Sequence, residues 1–259
     1  MCENYGINLS KKKILIECRM TKELEKRGLT SFTEYMNLLE KEGSGELAGE
    51  MVSRLTTNYT YFFRESEHFD YLQDQVLPKL CGQGGRPFWN FWCAGCSTGE
   101  ECYTLAMTVR DFLDKSGRCA EVRILGTDVS EAVLRQAEKA EYSVASMEGL
   151  PGLWRTKYCH REGENSFAID SSLKQMVRFR KRNLLDPLVE RERFSLILCR
   201  NVMIYFDRSS REKAVKNLEN SLAPGGYLFT GHAELLSGSE TVLNNICPAV
   251  YQKNGAEER

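Results

Sequence analysis

Phe88-Trp-Asn-Phe-Trp-Cys-Ala-Gly-Cys-Ser-Thr-Gly-Glu-Glu-Cys-Tyr-Thr-Leu-Ala-Met107 decides the fold. It reads as a buried strand, a turn of small residues and an amphipathic helix. A strand that feeds a helix through such a turn offers a ligand site, because Ala94, Gly95, Ser97, Thr98 and Gly99 let the backbone come close to a bound molecule. A bare helix N-terminus favours anions, yet Glu100 and Glu101 occupy the first turn here. Two like charges about 4 Å apart repel by roughly 4 kcal/mol at an effective dielectric of 20. The site therefore disfavours a pyrophosphate and suits a cationic, hydroxyl-bearing ligand. S-adenosylmethionine, with its sulfonium, ammonium and ribose hydroxyls, has that chemistry.

Other readings of the turn are weaker. Gly95-x-x-x-Gly99 lacks the dinucleotide spacing, and no Gly-Lys-Ser/Thr follows as in a P-loop. Gly95-Cys-Ser97-Thr-Gly99 does match the G-x-S-x-G nucleophile elbow, with His232 downstream as a triad partner. Against a serine hydrolase, the two glutamates sit where an oxyanion needs stabilising. A core strand and helix with no ligand is the bland alternative.

Working outward, the chain divides into an all-helical front and an alternating strand and helix remainder. Lys11 to Arg27 carries Ile14, Cys18 and Met20 and stops at Gly28. Ser31-Phe-Thr-Glu34 is a capping box opening a second helix with Phe32, Tyr35, Met36 and Leu39 on its apolar stripe. Leu47, Met51 and Leu55 mark a third. Asn58-Tyr-Thr-Tyr-Phe-Phe-Arg64-Glu then precedes a helix holding Phe69, Leu72 and Val76. Arg64 stands out there as a cation among Tyr61, Phe62 and Phe63. Cys81 to Pro87 is a loop and the expected domain boundary.

Beyond it the alternation predicts a largely parallel sheet covered on both faces. Val122 to Thr127 is the second strand, and Asp128 at its carboxyl end is placed to accept from ribose hydroxyls. Tyr142 to Ser172 interrupts the alternation with turn-rich sequence. Phe167 to Ile169 and Gln175 to Arg180 suggest short antiparallel strands within an insert. Phe194 to Cys199 is another buried strand, followed by Arg200-Asn201. A helix from Ser209 to Leu222 opens on a capping box of Ser209 with Glu212, and Tyr227 to Thr230 is the next strand.

Composition narrows the function classes. A formal net charge of -1 gives no global attraction to nucleic acid or an anionic membrane. No signal peptide or apolar span is visible, so the expectation is a cytoplasmic protein. Ten cysteines scatter through predicted elements, and free thiols are expected; Cys93-x-x-Cys96 has no second pair at zinc spacing.

Taken together, Asn58-Tyr-Thr-Tyr-Phe-Phe-Arg-Glu, Ser97-Thr-Gly-Glu-Glu, Gly126-Thr-Asp-Val-Ser, Asn183-Leu-Leu and Cys199-Arg-Asn-Val-Met-Ile-Tyr-Phe resemble the CheR-type chemotaxis receptor glutamate methyltransferases. The resemblance covers nearly the whole chain. It implies an α/β fold: a Rossmann-like S-adenosylmethionine-dependent methyltransferase domain with a small antiparallel β-subdomain insert, preceded by an all-α N-terminal domain. The expected limits are 1–80 for the helical domain and linker and 81–259 for the methyltransferase domain, with the insert at about 142–180.

By the same resemblance, Asn58, Thr60 and Arg64 contact the cofactor, and Arg64 is the catalytic residue beside the methyl group. Glu101 binds the cofactor in the turn, with Glu100 able to exchange that role. Asp128 holds the ribose, Asn183 and Leu184 the adenosine end, and Arg200 and Asn201 the methionine end. The implied reaction carries a methyl group from S-adenosylmethionine to receptor glutamates and leaves S-adenosylhomocysteine. The implied partner is the cytoplasmic helical domain of a methyl-accepting receptor, with no nucleic acid, no membrane insertion and a monomeric enzyme. Departures from the family pattern are Cys102 where proline is usual, Gly95-Cys96, Ala233 and a short N-terminus. A carboxylate is already a nucleophile at pH 7, so His68, His160 and His232 receive no catalytic role and no metal is expected. Transfer to another acceptor, and binding of cofactor without catalysis, are the rival readings.

Overall fold

The computed structural model describes residues 5–6, 13–42, 46–56, 58–82, 87–187 and 193–255. The first three helices, α1 (Lys13–Lys26), α2 (Phe32–Glu42) and α3 (Glu46–Leu55), pack around Met20, Tyr35, Leu47, Met51 and Leu55. The Ser31 hydroxyl accepts from the Glu34 N–H at 3.2 Å, as a capping box requires. The Glu34 carboxylate reaches one residue further back than expected, to the Thr30 N–H at 2.8 Å.

After the linker come α4 (Ser66–Tyr71), a π-helical turn (Leu72–Val76) and α5 (Leu77–Leu80). The Leu77 N–H bonds to the Leu72 carbonyl, and Pro78, which has no N–H to offer, accounts for the local widening. Although the expected helical domain ran to residue 80, Phe69, Leu72, Val76 and Leu77 join the core of the sheet.

That sheet has seven strands. They are β1 (Phe88–Ala94), β2 (Glu121–Asp128), β6 (Val177–Lys181), β7 (Phe194–Cys199), β8 (Leu222–Thr230), β9 (Asn244–Cys247) and β10 (Val250–Gln252). Their order is β6-β2-β1-β7-β8-β10-β9. The first five run parallel, and β10 pairs antiparallel with both of its neighbours, β8 and β9. β1 lies centrally and alternates its side chains between two cores. Trp89, Phe91 and Cys93 face one; Trp92 and Ala94 face the other.

α6 (Glu100–Ser116) and α7 (Glu131–Lys139) follow β1 and β2. The insert is a separate sheet of β3 (Glu141–Ser143), β5 (Ser166–Ile169) and β4 (Cys159–Glu162), all antiparallel, with α8 (Gly152–Tyr158) between. Gln175 to Arg180 does not belong to it. That segment enters the main sheet as β6, parallel to β2 from Ile124↔Val177 to Asp128↔Lys181, after the short α9 (Ser171–Lys174).

The last helix, α10 (Arg208–Ser221), begins earlier than expected. Asp207, not Ser209, caps it by accepting from the Ser210 N–H at 2.8 Å, while Glu212 pairs with Arg208. All nine cysteines among the described residues are free. No helix there is long and apolar enough to cross a membrane.

Candidate active site

At the carboxyl ends of β1, β2, β6 and β7 lies a cleft partly open to solvent. The turn after β1 forms its floor. Gly95 and Cys96 both donate their N–H groups to the Thr127 carbonyl, at 2.8 and 2.9 Å, which ties the turn to β2. Gly95 has φ +80°, and a Cβ there would sit 2.4 Å from Val202 Cγ2, so no larger residue fits. Ser97 holds φ +50° without being glycine.

Asp128 is the hinge of this floor. Its Oδ2 accepts from the Ser97 N–H and its Oδ1 from the Ser130 N–H, both at 3.0 Å. Burial pushes its pKa up, and those backbone donors partly offset the rise. Each carboxylate oxygen has a second lone pair, and the residue lines the cleft.

The paired glutamates separate. Glu101 lines the cleft, whereas Glu100 turns into a distinct groove beside Tyr142 and Ser166 of the insert. Glu100 accepts from the Thr98 hydroxyl at 2.6 Å. Burial raises the pKa of both.

The linker forms the roof. Asn58 and Thr60 line the cleft, and the Asn58 carbonyl accepts the Ser97 hydroxyl at 2.9 Å. The Arg64 guanidinium donates to the Tyr59 carbonyl at 3.0 Å and lies 5.9 and 5.7 Å from the Tyr59 and Tyr61 ring centres. Both tyrosines are exposed. The Phe63 N–H donates to Thr104 Oγ1 at 3.2 Å, fastening the roof to α6.

Arg200, buried, joins roof and floor. Nη1 reaches Glu101 at 3.1 Å, Nε and Nη2 reach Glu65 at 3.3 and 3.1 Å, and Nη2 also donates to the Arg64 carbonyl. Burial alone would raise the Glu65 pKa, but Arg200, with the Asn201 amide at 3.2 Å, holds it below the usual range. Asn201 itself has φ +60°.

Its loop hangs on Glu234, a fully buried carboxylate that accepts from the N–H groups of Asn201 (2.5 Å), Gly231 (3.0 Å) and Ile204 (3.0 Å). A Cβ on Gly231 would strike Glu234 Oε2 at 2.7 Å.

All nine residues expected at the site, Asn58, Thr60, Arg64, Glu101, Asp128, Asn183, Leu184, Arg200 and Asn201, line this one cleft. Tyr5, Leu55, Thr56, Val202, Tyr205 and Phe206 line it as well and were not expected. Glu65 and Glu234 were also missed, although an acid four residues past the β8 strand end, in Gly231-His-Ala-Glu234, was a usable signal.

Ser97 has no base at hand among the described residues. Its hydroxyl is donated to Asn58, and His232 instead stacks on His68 with ring centres 4.8 Å apart. Among the described residues the buried His68 ring finds no hydrogen-bond partner, and its pKa falls to about 4 through burial and the nearby Arg200 charge. Glu65, His68 and His232 approach one another closely enough for a cation, but Arg200 already supplies the positive charge there.

A nucleoside with an amino-acid arm fits this donor set: carboxylates, amides and close backbone, with the buried Arg200 already paired to Glu65 and Glu101. The fold and site define an S-adenosylmethionine-dependent methyltransferase. Residues 58–251 match the family model described as CheR methyltransferase, SAM binding domain, and residues 1–56 match CheR methyltransferase, all-alpha domain. The chain belongs to the CheR methyltransferase family. It is 41% identical to a chemotaxis protein methyltransferase of Borreliella burgdorferi, over 97% of this chain and 90% of that one. It is 33% identical to a probable chemotaxis protein methyltransferase of Rhizobium etli, over 95% and 94%. Chemotaxis protein methyltransferase 1 of Pseudomonas aeruginosa is also 33% identical, over 94% and 86%.

Proposed function

We propose that this methyltransferase esterifies glutamate side chains on the cytoplasmic helical domain of chemotaxis receptors, as part of adaptation. S-adenosylmethionine, when bound, supplies a methyl group on a positively charged sulfur. Asp128 accepts from its ribose, Asn183 and Leu184 hold the adenosine end, and Glu101 with Asn201 takes the amino-acid arm. Asn58 and Thr60 close over it. Arg200 orients Glu101 and the roof through its ion pairs.

The observation that carries the reading is Arg64. One hydrogen bond to the Tyr59 carbonyl and two tyrosine rings hold its guanidinium at the edge of the cleft, leaving other donors for an incoming carboxylate. The acceptor oxygen attacks the methyl carbon as the carbon–sulfur bond breaks, giving an ester and a neutral thioether. The acceptor arrives ionised, so no protein group has to remove a proton. Positioning and removal of water are what the cleft contributes. In this reading the enzyme is a cytoplasmic monomer, and the three-stranded insert docks on the receptor.

Incubation with labelled cofactor and native membranes tests the proposal. Label should appear on a receptor band and be released as methanol by brief alkali. Alkali-stable label would place the methyl group on nitrogen or another acceptor and reject the ester.

A further inference from the structure

We infer that Tyr5 is a cofactor-binding residue whose ring closes the base end of the cleft and stacks on the adenine. The inference rests on Asp128 as the ribose acceptor. The order of strand ends then fixes the direction of the ligand. The turn after β1, Asp128 after β2 and Asn183 after β6 stand side by side, with Arg200 after β7 on the far side. An amino-acid arm lying over the β1 turn toward Arg200 sends the base the other way, to the β6 side. There the cleft is walled by Val129, Arg182, Asn183 and Leu184, and by Tyr5.

Tyr5 also borders the adjoining polar opening beside Lys181, Asp186 and Lys213. It therefore stands between the base end and solvent. Its place is set by Gly6, which is buried with φ +68°. The Gly6 carbonyl accepts from the Asp207 N–H at 3.2 Å. A Cβ on Gly6 would lie 2.6 Å from Ser210 Cβ and 3.3 Å from Leu185 Cδ1. The backbone next to Tyr5 is thus seated in a notch between the start of α10 and the loop after β6, too narrow for a larger residue. With Leu55 and Thr56 on the same cleft, the helical region supplies part of the cofactor's wall.

A stacked base is held by an aromatic face, and losing one such face weakens binding by roughly 5- to 150-fold. Calorimetry on the full chain with S-adenosylhomocysteine and with adenosine alone is the test. Tyr5→Ala should weaken both by about tenfold, because only the nucleoside half meets the ring. Tyr5→Phe should stay within about twofold of wild type. Gly6→Ala, which unseats the segment, should reproduce the Tyr5→Ala loss. In a Tyr5→Trp chain, adenosine should quench the added indole emission while homocysteine leaves it unchanged. Normal affinity of Tyr5→Ala for both ligands overturns the inference. Should Tyr5→Ala fail to fold, Tyr5→Trp decides, since emission indifferent to adenosine overturns it equally. Failure of the ribose assignment would show separately, as normal S-adenosylhomocysteine binding by Asp128→Ala.

Discussion

Arg200 meets Glu65 through two nitrogens, at 3.3 and 3.1 Å, with the arginine side chain 2% exposed. The pair locks the end of β7 to the linker that carries Arg64. Removing one partner of a buried pair costs about 3 to 5 kcal/mol. Here Arg200 keeps Glu101 as a counter-ion, so Glu65→Gln should cost about 3 kcal/mol, the low end of that range. Urea unfolding measures it, and an unmoved midpoint would show that Glu101 suffices.

Asp128→Ala removes the ribose acceptor. Affinity for S-adenosylhomocysteine should fall by about 1.5 to 3 kcal/mol, the worth of hydrogen bonds to a charged group. Titration calorimetry on the folded variant checks this.

Arg64→Ala should keep its melting temperature and lose methyl transfer by on the order of 10²-fold, the effect of a misplaced reactant. Lys at this position should not restore the rate, because an ammonium lacks the planar fork. Near-normal turnover of Arg64→Ala would remove the residue from the reaction.

His68 gives stability a pH dependence. Its pKa falls from 6.5 to about 4 on folding. Between those values the unfolded chain binds a proton that the folded chain refuses. Stability from this group is therefore present above pH 6.5 and lost as pH falls toward 4, by at most about 1.4 kcal/mol per pH unit. Raised carboxylates such as Glu100 and Asp128, whose charged forms burial disfavours, act in the opposite sense. Comparison with His68→Gln isolates the histidine: the variant should lose less stability between pH 6.5 and 4.5. Asp170, held at about 2 by Ser172 and His160, titrates below this window.

The sequence made β1 and its turn legible because an apolar run with small residues behind it has few other structural uses. Asp128 followed, since a strand end fixes where its last side chain points. Alternation alone could not assign Val177–Lys181 to a sheet. An edge strand with Arg178 and Arg180 outward has the same period in either sheet. The start of α10 lies two residues before the expected one because Asp207 and Ser209 are both good caps, and it is the Asp207 carboxylate that accepts a first-turn N–H, from Ser210. Glu100 and Glu101 are neighbours in one helical turn, and which one faces the cleft depends on the helix phase set by burial of Tyr103, Leu105 and Ala106. Tyr5 and Glu65 reach the site through contacts remote in sequence, which no local pattern records.

Three residues on the cleft wall, Phe63, Ser97 and Asn201, keep a left-handed backbone without being glycine. Each such position costs of order 1 kcal/mol. Selection for thermal resistance alone would draw these positions toward glycine, starting with Ser97, whose backbone N–H bond to Asp128 would survive the change, since asparagine already tolerates such a backbone. Heat-adapted descendants that still hold Phe63, Ser97 and Asn201 would then record a continuing demand for turnover, and descendants that had relaxed them would record its loss.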